Sequence, residues 1–165
     1  MEDFLNKIST YQIFNNLVPG AFFVSFIETS LNIDISGNQL IKSIIVYYIV
    51  GLVIGRIGST ILTPFLKLIK IVEYIPYKEF INASTQDEKI NSLQESSGMY
   101  RNLLCMSLIL FILCSIIHVC FHNKNMLIEI IVTLFLIMIF TLSYRKQVLF
   151  ISTRISNRTT QKNQE

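Results

Sequence analysis

Apolar residues gather into four long blocks along the 165-residue chain, over 17–31, 44–66, 103–121 and 126–143. The last three approach the ~20 residues that a helix needs to cross a ~30 Å hydrocarbon core at ~1.5 Å per residue. The pattern predicts an all-α protein, an integral membrane four-helix bundle with a short cytoplasmic helical connection. Three regions follow: an amphipathic N-terminal lead over 1–16, a four-span domain over 17–143 that includes the connection 67–101, and a basic cytoplasmic tail over 144–165.

The first block is the weakest, because Asn15, Asn16, Pro19 and Gly20 interrupt it and Glu28 lies near its outer end. A three-span alternative lays residues 1–31 along the interface and moves every later loop to the opposite face. Four spans are preferred, with Phe4, Leu5, Ile8 and Tyr11 lying on the inner leaflet before a proline-kinked first crossing. A cleaved signal peptide fits poorly, since Glu2 and Asp3 are acidic and no small-x-small site follows a clean apolar run.

Between the blocks, residues 32–42 with Gly37 read as a short outer loop. Pro64 bends the inner end of the second span, which is expected to continue past the headgroups over 67–74 until Pro76 stops it. Ser84-Thr85-Gln86-Asp87 matches a capping box, and Ile90 and Leu93 follow at helical spacing, which predicts a cytoplasmic helix that Gly98 separates from the third span. His122 to Asn125 is a tight turn, so the last two spans form an antiparallel hairpin. The tail starts as an amphipathic continuation through Val148, Leu149, Ile151 and Ile155, then becomes too polar to fold.

Composition agrees with a lipid-facing chain: 52% of residues are apolar and 15% charged, against roughly a quarter charged in a soluble domain. Charge also orients it. Eleven of the 14 Lys and Arg residues fall in the lead, the 67–101 connection or the tail, and only Lys42 and Lys124 in the other loops. The positive-inside rule then places both termini in the cytoplasm.

Arg56, within the second span, is the outstanding candidate residue. A mid-membrane arginine costs from ~2.5 to over 10 kcal/mol, so a carboxylate, backbone carbonyls or water should meet it. Glu28 and Glu129 are the intramembrane carboxylates, with Asn15, Asn16, Ser59 and Thr60 as further polar partners. Two roles stay open: a lock between helices or protomers, or a residue lining a watery path or holding a lipid phosphate. Gly51, Gly55 and Gly58 supply the small-residue spacing that lets helices approach closely. Tyr100 and Arg101, where the third span begins, and Arg145 and Lys146, after the fourth, read as interface anchors.

Chemistry beyond this is sparse. Cys114, His118 and His122 recur every four residues near Glu129, which suggests a metal site, but packing accounts for them and no metal is assigned. Cys105, Cys114 and Cys120 read as packed cysteines, with Cys120 near enough to the outer face to pair between subunits. Arg101-Asn102 begins an R-N-x-x-x-x-H nuclease pattern, yet no histidine follows at the needed spacing. No phosphate loop, dinucleotide fingerprint, nucleophile elbow or H-E-x-x-H occurs, so neither enzyme activity nor a cofactor is expected.

Tyr11-Gln-Ile-Phe-Asn-Asn-Leu-Val-Pro-Gly20, Gly51-Leu-Val-Ile-Gly-Arg-Ile-Gly-Ser59, Asp87-Glu-Lys-Ile-Asn-Ser-Leu93 and Tyr100-Arg101 cover about a third of the chain. They resemble segments of small bacterial four-span membrane components of anti-phage systems, such as the membrane subunit of Kiwa and membrane accessories of CRISPR or cyclic-nucleotide systems. The resemblance implies an inner-membrane location and a defence role. A homo-oligomer in the lipid bilayer with a cytoplasmic protein partner and no nucleic acid is expected, acting as membrane-perturbing effector or sensor. A passive anchor and a small oligomeric channel or transporter are the alternatives.

Overall fold

Local chemistry decides where each helix starts and stops. The computed structural model describes residues 2–37, 39–73, 75–121 and 126–162, and side chains from Ile13 to Asn157 within these except Phe121 and Met126. Among the described residues every regular element is a helix: α1 (Glu2–Leu31), α2 (Leu40–Ile57), a π-turn (Gly58–Leu62), α3 (Thr63–Leu68), α4 (Tyr77–Ser84), α5 (Glu88–Phe121) and α6 (Met126–Lys162). The 122–125 turn with His122, and the side chains of Phe4, Leu5, Ile8 and Tyr11, lie outside the described residues.

α1 runs unbroken through the boundary expected at residue 16, and Pro19 is accommodated inside it. It ends at Asn32 with φ 53°, a left-handed position that asparagine tolerates. Glu28 then ties down the following loop, its Oε1 accepting the N–H groups of Ile35 at 2.9 Å and Ser36 at 2.7 Å.

Pro64 leaves a local mark on the helix. It has no N–H, and its ring opposes the carbonyl four residues earlier. The preceding turn widens to a π-turn, in which the Thr63 N–H reaches the Gly58 carbonyl, and the helix proceeds into α3 with Pro64 in its first turn. The helix does not extend over 67–74. It stops at Leu68, where Ile71 N–H bonds Leu66 O, Lys70 N–H bonds Lys67 O and Lys70 takes φ 56°. These are the two hydrogen bonds of a Schellman stop, with lysine at the position usually given to glycine.

Two expectations about the connection are corrected. The N-cap of the next helix is Asp87, not Ser84: Asp87 Oδ1 accepts the Lys89 N–H at 3.1 Å, whereas the Ser84 hydroxyl donates back to Ile81 O. Gly98 breaks nothing, since α5 is continuous from Glu88 to Phe121. A single interior glycine costs only ~1 kcal/mol, which neighbouring turns and packing outweigh. For the same reason α6 passes residue 144 unbroken and carries the polar tail helically to Lys162.

Three of these helical stretches, Leu40–Leu68, Glu88–Cys120 and Leu127–Asn157, are long and apolar enough to cross a membrane. α1 is not among them, because Asn15, Asn16 and Glu28 dilute its apolar run. α5 is the hub, packing against α1, α2 and α6, while α6 is held mainly through α5 and α4. The main core gathers Ile54, Leu62, Leu66, Leu104, Leu110 and Tyr144. A second small core joins Ala83, Ile90, Ile151 and Ile155 at the end of the molecule that carries α4, called the base below.

The backbones of α1 and α2 touch directly. A Cβ at Gly20 would lie 2.7 Å from Gly51 N, and one at Gly51 would overlap the Asn16 carbonyl. Only glycine permits that approach, and it sets the height at which the two helices cross.

Candidate functional site

The α1–α2 crossing and the packing of α5 bring the polar residues of three helices to one level. Asn15 and Asn16 from α1, Gly55, Arg56 and Ser59 from α2 and the π-turn, and Arg101 and Asn102 from α5 line a cleft of about 380 Å³, with Tyr48 and Leu52 along one wall. Gly55 keeps it open, since a Cβ there would meet the side chains of Asn102 and Asn16 at 3.2–3.3 Å. Gly58 plays a related part, lying beneath the Arg101 side chain, whose Nε would be 3.7 Å from an added Cβ.

Asn102 is the most enclosed member, 2% exposed. Its Nδ2 donates to the Asn15 carbonyl at 3.3 Å and to Asn15 Oδ1 at 3.5 Å. That fixes the amide with Oδ1 as the acceptor left over, and Oδ1 and Arg101 Nε are both buried without a hydrogen-bond partner. A buried polar atom so left costs roughly 1–3 kcal/mol, which makes these two atoms the cleft's candidate contacts for a ligand or a water molecule. Arg56 is exposed at the cleft mouth, and its carbonyl accepts from Ser59 Oγ at 3.0 Å and Thr60 Oγ1 at 2.7 Å.

Among the described residues no carboxylate lines this cleft, so two arginines line it against asparagine and hydroxyl groups. The sequence pointed to Glu28 and Glu129 as partners of Arg56, and neither is placed near it. Glu28 is engaged by the Ile35 and Ser36 N–H groups, about 18 Å along α1 from Asn16. Glu129 Oε2 stands 4.0 Å from Cys114 Sγ, about 20 Å along α5 from Arg101.

Arg56 lies inside the Leu40–Leu68 stretch, on the cleft it shares with Arg101. From the cleft level to the ends of α1, α2 and α5 opposite the base is roughly 22–30 Å at 1.5 Å per residue. That is nearly the whole ~30 Å thickness of a hydrocarbon core. Arg56 therefore shares its depth with Arg101, a residue read from sequence as an anchor at the headgroups.

The remaining residues of interest separate by height. Gly51 belongs to the α1 contact, whereas Gly55 and Gly58 face the cleft and α5. Tyr100 is half-buried beside the main core. Arg145 and Lys146 are exposed on α6 nearer the base, with Lys146 Nζ 5.6 Å from the Phe150 ring centre. Lower still, Arg154 Nε pairs with Asp87 Oδ2 at 2.7 Å and joins the end of α6 to the start of α5. Among the described residues no group of three His, Cys, Asp or Glu side chains converges as metal ligands would.

Asn15, Asn16 and Ser59, offered by the sequence as polar partners of Arg56, do line the cleft with it; Asn102 was missed, and Gly20 appeared there only as an interruption. The spacing of each is unremarkable within its own helix, and only the offset between helices joins them. No family model, curated protein or solved structure matches the chain.

Proposed function

We propose that the chain is a non-enzymatic, four-crossing protein of the bacterial inner membrane that senses disturbance of the bilayer and passes it to a cytoplasmic partner in anti-phage defence. One observation carries the coupling: α5 and α6 are unbroken over 34 and 37 residues, roughly 51 and 55 Å. A ~30 Å hydrocarbon core accounts for little more than half of each. Their ends leave the membrane together and are clamped to α4 by the second core and the Asp87–Arg154 pair. A tilt or shift of either helix in lipid is thereby delivered to the base as a rigid displacement.

Charge and packing support the orientation. Lys67, Lys70, Lys78, Lys89, Arg145, Lys146 and Arg154 all lie at or below the cleft on the base side, which is the cytoplasmic side by the positive-inside rule. α1 counts as the fourth crossing because it lies against α2 from the Gly20–Gly51 contact to the Glu28 loop, and exposes Phe14 and Phe22. Exposed apolar side chains cover α6, among them Ile128, Ile131, Phe135, Met138 and Leu142. Lipid or a second copy of the chain would cover them. Between the cleft and the far end the interior is filled by Val24, Leu110, Cys114 and their neighbours, which favours sensing over conduction through one protomer. The defence setting rests on the sequence resemblance.

The test is expression with and without genomic neighbours, recording phage plating and membrane potential, for the wild type and for a helix-breaking Gly98→Pro variant. Protection that is lost in Gly98→Pro while the protein stays in the membrane supports rigid coupling. Protection unaffected by the break indicates a passive anchor, and absence of any phage phenotype removes the defence role.

A further inference from the structure

The two-arginine cleft has the chemistry of a ligand site, and we infer that it binds a phosphodiester bearing a free hydroxyl, which at this depth is the glycerol headgroup of an anionic inner-leaflet phospholipid. The inference rests on the placement of the chain in a bilayer but is independent of any cytoplasmic partner.

Three features select the ligand. Arg56 and Arg101 bring two guanidinium groups to one cleft that, among the described residues, no carboxylate lines, and the planar donor fork of arginine matches phosphate oxygens. The Nε of Arg101 is buried with its N–H unused, a donor aligned with the rest of its guanidinium for a bidentate contact. Asn102 offers the opposite character: its Oδ1 is a buried acceptor whose amide is held in place by Asn15. It therefore calls for a donor on the ligand. An ethanolamine ammonium would supply one, but beside two guanidinium groups it is repelled. A choline headgroup has no donor. A glycerol hydroxyl satisfies Oδ1 without adding positive charge, while the phosphate answers the arginines.

The size and position agree. A cleft of about 380 Å³ falls within the ~300–1,000 Å³ range of small-ligand pockets, larger than a lone anion needs. It lies nearly one hydrocarbon thickness from the far end of the bundle, the level at which inner-leaflet phosphates stand. Tyr48 and Leu52 on its rim offer an aromatic and an aliphatic surface to the start of the acyl chains.

The full chain, purified in a neutral detergent, would be titrated with short-chain phosphatidylglycerol, phosphatidylethanolamine and phosphatidylcholine, and with inorganic phosphate and glycerol 3-phosphate. Native mass spectrometry reads retention, and reaction of the buried Cys105 and Cys114 thiols with a maleimide dye during heating reads protection. Wild type is expected to retain phosphatidylglycerol at least tenfold better than the two zwitterionic lipids. Arg56→Gln, at the exposed mouth, and Asn102→Ala should each lose most of that preference, and Asn102→Ala should narrow the gap between glycerol and ethanolamine headgroups. Arg101→Gln adds a third variant, used if its helicity and gel-filtration profile match the wild type. Equal retention of all three lipids, or wild-type selectivity in Arg56→Gln, overturns the inference. Full protection by millimolar inorganic phosphate, with displacement of the lipid, overturns the lipid source and leaves a free-phosphate site.

Discussion

Replacing Gly51 by alanine tests the α1–α2 crossing that brings the cleft together. The added Cβ would overlap the Asn16 carbonyl oxygen and lie 2.6 Å from its carbonyl carbon, where carbon atoms rest at ~3.5–4.0 Å. Both obstacles are backbone, so no side chain can swing aside, and the helices must separate by about 1 Å. A gap of that size forfeits a quarter to a half of each dispersion contact. In lipid, dispersion matters more than usual, because tails solvate apolar side chains as well as a neighbouring helix does. Overpacking of this kind costs up to ~3 kcal/mol, less the ~1 kcal/mol that alanine gains over glycine in a helix, leaving a net loss of about 2 kcal/mol.

Gly58→Ala is the matched control. Its Cβ would lie 3.4 Å from Cys105 Cβ, an ordinary contact, so it keeps the propensity gain and is neutral or stabilising by up to ~1 kcal/mol. The difference between the two variants is then about 2–3 kcal/mol. Reversible unfolding in mixed micelles with rising dodecyl sulfate, followed by helical circular dichroism, measures it. Gly20→Ala should resemble Gly51→Ala, and the double variant should cost less than the two singles together, since one separation relieves both clashes. A Gly51→Ala protein within ~0.5 kcal/mol of Gly58→Ala would falsify the crossing.

Further outcomes follow from the ends of the molecule. Asp87→Ala removes an N-cap and the partner of Arg154 together, so it should destabilise the base by roughly 1–3 kcal/mol and speed amide hydrogen exchange over 88–95. Arg154→Gln should do less, because the cap survives and the arginine is 37% exposed. Lys70→Gly relieves a left-handed lysine and should stabilise by ~1 kcal/mol in the same unfolding assay; a loss of stability would refute the Schellman stop. In whole cells, a membrane-impermeant maleimide should label Cys120 in a single-cysteine variant and spare Cys105 and Cys114. Labelling of Cys120 only after the cells are opened would reverse the orientation.

Much of the helical content was legible because it depends on neighbours in the chain. Long apolar runs separated by short polar segments make helices in any arrangement, and the sidedness of lysine and arginine needs no contacts to be seen. Boundaries were less legible. Gly98 and the 144 junction look like breaks on composition, yet the packing of Ile90 and Ile155 in the second core holds α5 and α6 straight through them. Ser84 and Asp87 both suit a cap, and the choice fell to Asp87, which can also meet Arg154 from a helix 67 residues away.

From its sequence alone, this protein was determined to be helical and apolar enough for lipid, with its lysine and arginine gathered between and after the apolar runs, because hydropathy and charge are properties of single residues and short windows. Only the tertiary structure decided that Arg56 shares a cleft with Arg101 and Asn102, beside the Asn15 that the sequence had offered, and not with Glu28 or Glu129. The physical reason is helix offset. Sliding α1 or α2 by one turn moves every level by ~5.4 Å, and what prevents the slide is the contact of Gly20 and Gly51 with opposing backbone; the glycine spacing of α2 announced a close approach, but not that α1 would make it or at which height.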